Sequence, residues 1–224
     1  MSDATVERRR LLLVDDHPVV RQGLARVIDE EPDLEVCGEA EDAEEALDRI
    51  EELSPDLVVV DLSLKGTSGL ELIKRIRARF EGLKVLVLSM HDESLYAERA
   101  LHAGARGYVM KQEDPQRLIE AARRVMDGEL HLSEEMASRV LRRIFDGHEP
   151  GASADPVSAL SDRELEVFEW IGRGRGTRQV AEQLKLSVKT VETYRAHIKE
   201  KLGISTASEL VRHAVKWVES SRGA

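Results

Sequence analysis

The chain alternates short apolar runs with stretches whose apolar residues recur at helical spacing, and this alternation fills its first 130 residues. Leu11-Leu12-Leu13-Val14 is an uninterrupted apolar strand that stops at Asp15-Asp16. Pro18 then opens a helix carrying Val19, Val20, Leu24, Val27 and Ile28 on one face. Glu35–Gly38 reads as a weaker strand, Ala43–Leu53 as a helix, and Leu57–Val60 as a second buried strand stopping at Asp61. Leu70–Phe80 is helical, Lys84–Leu88 is a strand stopping at Ser89, and Leu95–Ala103 is a helix closed by Gly104. Gly107–Met110 is a strand stopping at Lys111, and Pro115–Met126 is the last helix of the series. Five strands alternating with five helices, with short loops between them, predict an α/β, doubly wound parallel sheet.

The pattern changes after that. Ser133–Phe145 predicts a helix running off the first domain, and Asp146–Pro156 is a linker rich in Gly, Pro, Ala and Ser. From Leu160 onward the periodicity is all-α, with four helices over roughly Asp162–Arg173, Thr177–Leu184, Val188–Leu202 and Thr206–Glu219. Thr177 is the expected N-cap of the second of these, and Lys185-Leu186-Ser187 the turn into the third. Two helices joined by so short a turn predict a helix-turn-helix. On the third helix Val191, Ile198 and Leu202 share one face, with Tyr194 and Arg195 at its margins. Lys189, Thr193, Ala196 and Glu200 lie opposite, flanked by Glu192 and His197. The expected units are 9–130, a connecting segment 131–156, and 157–222.

Composition narrows the class. A chain of 224 residues with 42% hydrophobic and 34% charged residues is globular and of two-domain size. A single cysteine, Cys37, excludes a disulfide framework or a thiolate metal site within one chain; it reads as a small buried hydrophobe. The polar N-terminus lacks an apolar stretch of signal-peptide length, and the apolar runs are strand-sized, so a cytoplasmic protein without membrane spans is expected. The net charge of −10 is divided unevenly. Residues 1–132 carry 18 Lys/Arg against 29 Asp/Glu, whereas residues 157–224 carry 12 against 9. The first part repels phosphate backbones and the second can approach them.

Asp15, Asp16, Asp61, Ser89 and Lys111 all follow strands, and ligands of open α/β sheets sit at the carboxyl ends of the strands. Any single strand-end Asp is usually a cap or turn former. Three carboxylates together, however, raise one another's pKa unless a cation joins them, and Mg²⁺ is a hard ion suited to oxygen donors and phosphate. Three carboxylates, one lysine and Mg²⁺ sum to zero charge. A carboxylate in such a site can attack phosphorus, with metal and lysine stabilising the transferring oxygens.

Asp15-Asp16-His17-Pro18, Asp61 followed eight residues on by Gly69, Ser89 and Lys111 resemble the receiver domain of bacterial two-component response regulators, over about Arg9 to Gly128. Leu160-Ser161-Asp162-Arg163-Glu164, Val180-Ala181, Ser187-Val188-Lys189-Thr190-Val191 and Lys201-Leu202-Gly203 resemble a LuxR-type DNA-binding domain. The pair together is similar to the NarL/FixJ type of regulator. The resemblance implies a flavodoxin-like α/β receiver followed by an all-α helix-turn-helix domain. It also implies that a partner histidine kinase phosphorylates Asp61, that Asp15, Asp16, Asp61 and Ser63 surround Mg²⁺, and that Ser89 and Lys111 contact the phosphoryl group. Ser89 and Tyr108 would be the switch pair, and phosphorylation would promote a homodimer on double-stranded DNA. Ser63 and His91 fall where the family tunes phosphoryl lifetime, and His17 reads as structural rather than as a ligand. Leu64, Lys65 and Gln112 depart from common receiver residues, and Arg173-Gly174-Arg175-Gly176 from the usual loop, without touching the chemistry.

For DNA, Lys189, Thr190, Glu192, Thr193, Ala196 and His197 would face base edges, where Lys suits guanine, Glu cytosine and a Thr or Ala methyl thymine. Arg178, Lys185, Arg195, Lys199 and Lys201 would meet phosphates. Alternatives separate on simple features. An aspartate-nucleophile phosphatase of the dehalogenase type wants an Asp at position 63, which is Ser63. A phosphorylation-independent regulator of the same architecture would not need the acidic pair with Asp61 and Lys111, and neither would a ligand-sensing quorum regulator.

Overall fold

The computed structural model describes residues 8–145 and 156–222. They fall into two compact units that divide at Ala137/Ser138. In the first, strands β1 (Arg9–Val14), β2 (Leu34–Ala40), β3 (Leu57–Val60), β4 (Lys84–Ser89) and β5 (Gly107–Met110) form one parallel sheet in the order β2-β1-β3-β4-β5. Helices α1 (Pro18–Asp29), α2 (Ala43–Leu53), α3 (Gly69–Arg79), α4 (Glu93–Ala103) and α5 (Pro115–Met126) alternate with the strands. Leu11, Leu12, Leu57, Val58, Leu86 and Val87 are fully or almost fully buried, as strands covered on both faces require. The sheet reverses direction at β1, whose neighbours are β2 on one side and β3 on the other, so the carboxyl ends of β1 and β3 flank the crevice.

Within this unit the expected strands and helices are present, with edges shifted by a residue or two. The largest difference is β2, expected over Glu35–Gly38 and observed over Leu34–Ala40. Its polar residues weaken the apolar pattern, but its backbone pairs with the whole of β1. One extra residue, Cys37, is absorbed where the register shifts between Leu11 and Leu12, and its thiol donates to the Leu11 carbonyl at 3.3 Å. Ser89, expected just beyond β4, is its last residue.

Helix ends follow local chemistry. Asp42, Ser68, Asp92 and Asp114 each accept backbone N–H groups at the start of α2 to α5. Beyond α5, His131 forms a parallel bridge with Gly107, its carbonyl accepting the Tyr108 N–H at 2.9 Å. Helix α6 (Glu134–Phe145) then starts as the sequence predicts. All of the expected linker except Pro156 lies outside the described residues.

The second unit contains a 3₁₀ turn (Pro156–Ala159) and helices α7 (Asp162–Gly172), α8 (Thr177–Gln183), α9 (Val188–Lys201) and α10 (Ala207–Arg222). Leu165, Phe168, Ile171, Val191, Ile198, Leu210 and Ala214 form its interior. A Cβ on Gly172 would stand 2.4 Å from the Ala214 carbonyl oxygen, so glycine permits the close approach of α7 to α10. The N-cap of α8 is Gly176 rather than Thr177. Gln179 reaches back to accept the Gly176 N–H at 3.0 Å, which moves the helix start one residue earlier. Among the described residues, no helix is long and apolar enough to cross a membrane.

Arg123 fastens α5 to the loop before β2. Its guanidinium donates to both Asp33 carboxylate oxygens, at 3.0 and 2.6 Å, and to Glu31 at 2.6 Å. The side-chain hydrogen bond from Arg123 holds the Asp33 carboxyl below its ordinary value despite some desolvation. A lowered carboxyl pKa adds stability that is full above the unfolded value, near 4, and is lost as pH falls from there through the lower folded-state value. Arg123→Ala should therefore cost up to about 1 kcal/mol at neutral pH. Urea unfolding should show this difference shrinking below about pH 4.

Candidate functional site

The crevice residues are held by backbone before any side chain is considered. The Asp61 N–H donates to Val14 O at 2.8 Å, the Asp15 N–H to Ala40 O at 3.1 Å, and the Lys111 N–H to Ser89 O at 2.8 Å. Each strand end is thus tied to its neighbour one step past the ladder. Gly69 packs against the turn after Asp61. A Cβ there would come within 2.2 Å of Asp61 O and 2.6 Å of Leu62 Cα, so no larger residue fits the backbone crossing.

Asp15 and Asp61 are buried, and Lys111 Nζ lies 2.6 Å from Asp15 Oδ2 and 2.7 Å from Asp61 Oδ2. Burial pushes the Asp61 carboxyl above its ordinary value; Lys111 opposes this and Asp15 adds to it. Burial alone would lower Lys111, but Asp61 and Asp15 outweigh it and keep the ammonium charged. Ligand atoms of Asp15, Asp16, His17 and Asp61 lie within 4.8 Å of one another. Lys111 pairs with two of the three carboxylates in this cluster, whose oxygens suit a hard divalent cation. His17 Nδ1 lies 2.8 Å from Asp16 Oδ1 and 3.1 Å from Asp15 Oδ1.

A second group of residues converges on His91, which is buried. Its Nε2 lies 2.9 Å from Ser63 Oγ, and its N–H donates to Ser89 Oγ at 3.1 Å. Its carbonyl accepts the Tyr108 hydroxyl at 2.9 Å, and its ring stands 4.4 Å from that of Tyr96. The Ser63 N–H donates to Asp61 Oδ1 at 3.2 Å. Tyr108 is 3% exposed, so its ring points inward. The sequence pairs Ser63 with His91 and Ser89 with Tyr108, whereas the structure joins the two pairs through His91. No spacing rule signals that, because two of the three contacts run through the His91 backbone.

In the second unit Ser187 caps α9, accepting the Thr190 N–H at 3.0 Å. Lys185, with φ of 53°, makes the left-handed step of the turn before it. Val191 and Ile198 are buried as expected, and Lys189, Glu192, Thr193, Ala196 and His197 are exposed together with Arg178 on α8. Thr190, Arg195 and Lys199 are half-buried. Thr193 donates its hydroxyl to Lys189 O at 3.1 Å, and the Thr190 hydroxyl lies 2.7 Å from Ser187 Oγ.

Lys201 Nζ lies 2.6 Å from Glu164 Oε2 on α7. That carboxylate also accepts the Ser161 N–H at 2.7 Å, within a capping box. Burial would raise Glu164, but the bonds from Lys201 and Ser161 outweigh it and hold the carboxyl below its ordinary value. His197 Nδ1 stands 3.8 Å from the same carboxylate. Glu164 is thus an organising residue that charge counting passes over; the Ser-x-x-Glu spacing of Ser161 and Glu164 was its available signal.

The response regulator receiver domain family matches residues 11–123, and the family of bacterial regulatory proteins of the luxR type matches residues 158–214. The oxygen regulatory protein NreC of Staphylococcus carnosus (strain TM300) is 35% identical over 210 residues, spanning 92% of this chain and 97% of that protein. The chain belongs to the LuxR-family two-component response regulators. Among solved structures, a LuxR-family response regulator from Aurantimonas sp. SI85-9A1 is 38% identical with a TM-score of 0.57, covering 62% of this chain and 99% of that one. RcsB from Salmonella enterica serovar Typhimurium, solved on promoter rprA with phosphomimetic BeF₃⁻, is 26% identical with a TM-score of 0.59, covering 93% and 99%. As a member of a transcription-regulator family, the response regulator carries its acidic crevice in the receiver domain and its helix-turn-helix in the LuxR-type domain.

Removing Lys201 leaves Glu164 buried with one fewer donor. Lys201→Ala should lower the thermal stability of the second unit by an amount corresponding to about 1–3 kcal/mol. A residue devoted to a DNA phosphate would leave the melt in the absence of DNA unchanged, so calorimetry separates the two roles.

Proposed function

We propose that this response regulator is switched by phosphorylation of Asp61 by a partner histidine kinase, and that the switch governs dimeric, sequence-specific DNA binding. The observation that carries the proposal is the pairing of Lys111 with both Asp15 and Asp61 inside a cluster completed by Asp16. A carboxylate oxygen of Asp61 attacks phosphorus as the donor's phosphorus–nitrogen bond breaks, giving an acyl phosphate. Lys111, already beside Asp61 Oδ2, neutralises the added phosphoryl oxygens. Asp15, Asp16 and Asp61 would hold Mg²⁺, with Ser63 alongside, and the ion supplies charge stabilisation at the same oxygens.

Ser89 and Tyr108 form the readout in this reading. They meet at His91, so a shift of the Ser89 hydroxyl toward the phosphoryl group loosens the His91 N–H contact and, through the same residue, the Tyr108 hydroxyl. A homodimer then sets two copies of α9 on DNA half-sites. Lys189, Thr190, Glu192, Thr193, Ala196 and His197 face bases; Arg178, Arg195 and Lys199 meet phosphates, and Lys201 does so at most in exchange for Glu164. The working units are the receiver (9–130), the connecting segment (131–156) and the DNA-binding domain (157–222), in a cytoplasmic protein.

Intact mass after incubation with acetyl phosphate and Mg²⁺ tests the first half. The wild type should gain one hydroxylamine-labile phosphoryl group and Asp61→Asn none; labelling of the variant would displace Asp61 as acceptor. A wild type that neither labels nor binds beryllofluoride, yet binds its DNA site, would mark a phosphorylation-independent regulator. For the second half, Lys189→Ala and Thr193→Ala should shift the selected DNA consensus, each losing about 1–3 kcal/mol of discrimination. An unchanged consensus from a binding-site selection would remove this face of α9 from base reading.

A further inference from the structure

His17 occupies the N-cap position of α1, yet its side chain accepts no N–H from the first turn of the helix. It turns back toward the crevice instead. Its Nδ1 lies 2.8 Å from Asp16 Oδ1 and 3.1 Å from Asp15 Oδ1, and its own N–H donates to Asp15 Oδ1 at 2.8 Å. Pro18, next in the chain, disfavours helical backbone at His17, which is extended at φ −104° and ψ 102°. The loop therefore holds an imidazole nitrogen against two carboxylate oxygens that belong to the acidic cluster.

With two carboxylate oxygens facing it, Nδ1 carries the hydrogen in this arrangement. Were a divalent ion to sit among the same oxygens, the Nδ1 of the neutral Nε2–H tautomer would be placed to serve as a further donor to it. Three carboxylates alone favour hard ions such as Mg²⁺, whereas an added imidazole favours first-row transition ions. Half of the His17 side chain is exposed, so the ring can adjust without disturbing the core.

We propose that His17 is a ligand of the divalent cation in this crevice and sets its preference, extending it from Mg²⁺ toward borderline ions such as Co²⁺, Ni²⁺ or Zn²⁺. The inference rests on the reading of Asp15, Asp16 and Asp61 as a cation site. The two ions share the same carboxylates and so compete. Tighter binding of a transition ion is not in itself diagnostic, because such ions bind most nitrogen and oxygen sites better than Mg²⁺ does. The diagnostic quantity is the change in preference when His17 is replaced.

The test titrates the full chain with CoCl₂ and separately with MgCl₂ by calorimetry, recording the Co²⁺ visible spectrum, for wild type, His17→Ala and Asp16→Asn. His17→Ala should weaken Co²⁺ by about tenfold or more and alter its ligand-field bands, while leaving Mg²⁺ affinity within about twofold. Excess Mg²⁺ should displace Co²⁺ from the wild type, and Asp16→Asn should weaken both ions. Unchanged Co²⁺ affinity and spectrum in His17→Ala would overturn the proposal, and so would an equal loss for both ions, which marks a role in loop structure. Co²⁺ that neither Mg²⁺ nor Asp16→Asn dislodges would place the ion on another histidine and overturn it too. A wild type that binds Mg²⁺ in none of these titrations overturns the cation site itself, a result distinct from failure at His17.

Discussion

Lys111 reaches across the end of β4 to place its ammonium 2.6 Å from Asp15 and 2.7 Å from Asp61, and the crevice is organised by that contact. Strands two apart in a sheet stand roughly 10 Å from each other. Residue 111 follows β5 and Asp61 follows β3, so a long flexible side chain is required to close the gap. Buried carboxylates without a cation would be costly, whereas with one ammonium they remain short of balance. That residual imbalance is what the proposed phosphorylation switch would draw on. A neutral crevice would have less to exchange when a cation or a phosphoryl group arrives.

At the same edge of the sheet, contacts from several strands meet at one residue. His91 contacts Ser63 with its ring, Ser89 with its N–H and Tyr108 with its carbonyl, so three side chains cannot shift independently. Tyr108 is also held from behind, its N–H bonded to His131 just before α6. The strand that carries the aromatic ring is thereby fastened to the segment leaving the sheet. Coupling in this region needs no long pathway, because one residue joins the crevice to the ring and one backbone bond joins the ring's strand to the exit.

Much of this was legible in the sequence, for a specific reason. In a parallel sheet every strand ends on the same edge, so residues that follow the apolar runs must converge; Asp15, Asp16, Asp61, Ser89 and Lys111 could be collected by position alone. What escaped the reading depends on contacts between distant segments or on atomic choice at a helix end. Strand β2 looked short because Gly38 and Glu39 break its apolar pattern, yet pairing with β1 extends it from Leu34 to Ala40 around the bulge at Cys37. Gly176 displaced Thr177 as a cap because the Gln179 side chain reaches back to accept the Gly176 N–H, a bond that the local residue types do not announce. Lys201 looked like one more cation of a basic helix until α7 brought Glu164 against it.

That last pairing bears on how the positive surplus of the second unit is used. Its basic residues outnumber the acidic ones only slightly, so each internal ion pair changes what is left for a phosphate backbone. Glu164 draws Lys201, and stands near His197, at the C-terminal end of α9. The N-terminal half of α9 keeps Lys189, Glu192 and Thr193 exposed, with Arg178 exposed on the preceding helix. Helix-turn-helix proteins present the N-terminal residues of the recognition helix to base edges. The Lys201–Glu164 pair fixes the C-terminal end of α9 to α7, and the exposed Lys189, Glu192 and Thr193 stand at the other end of the helix, the end such proteins turn to DNA.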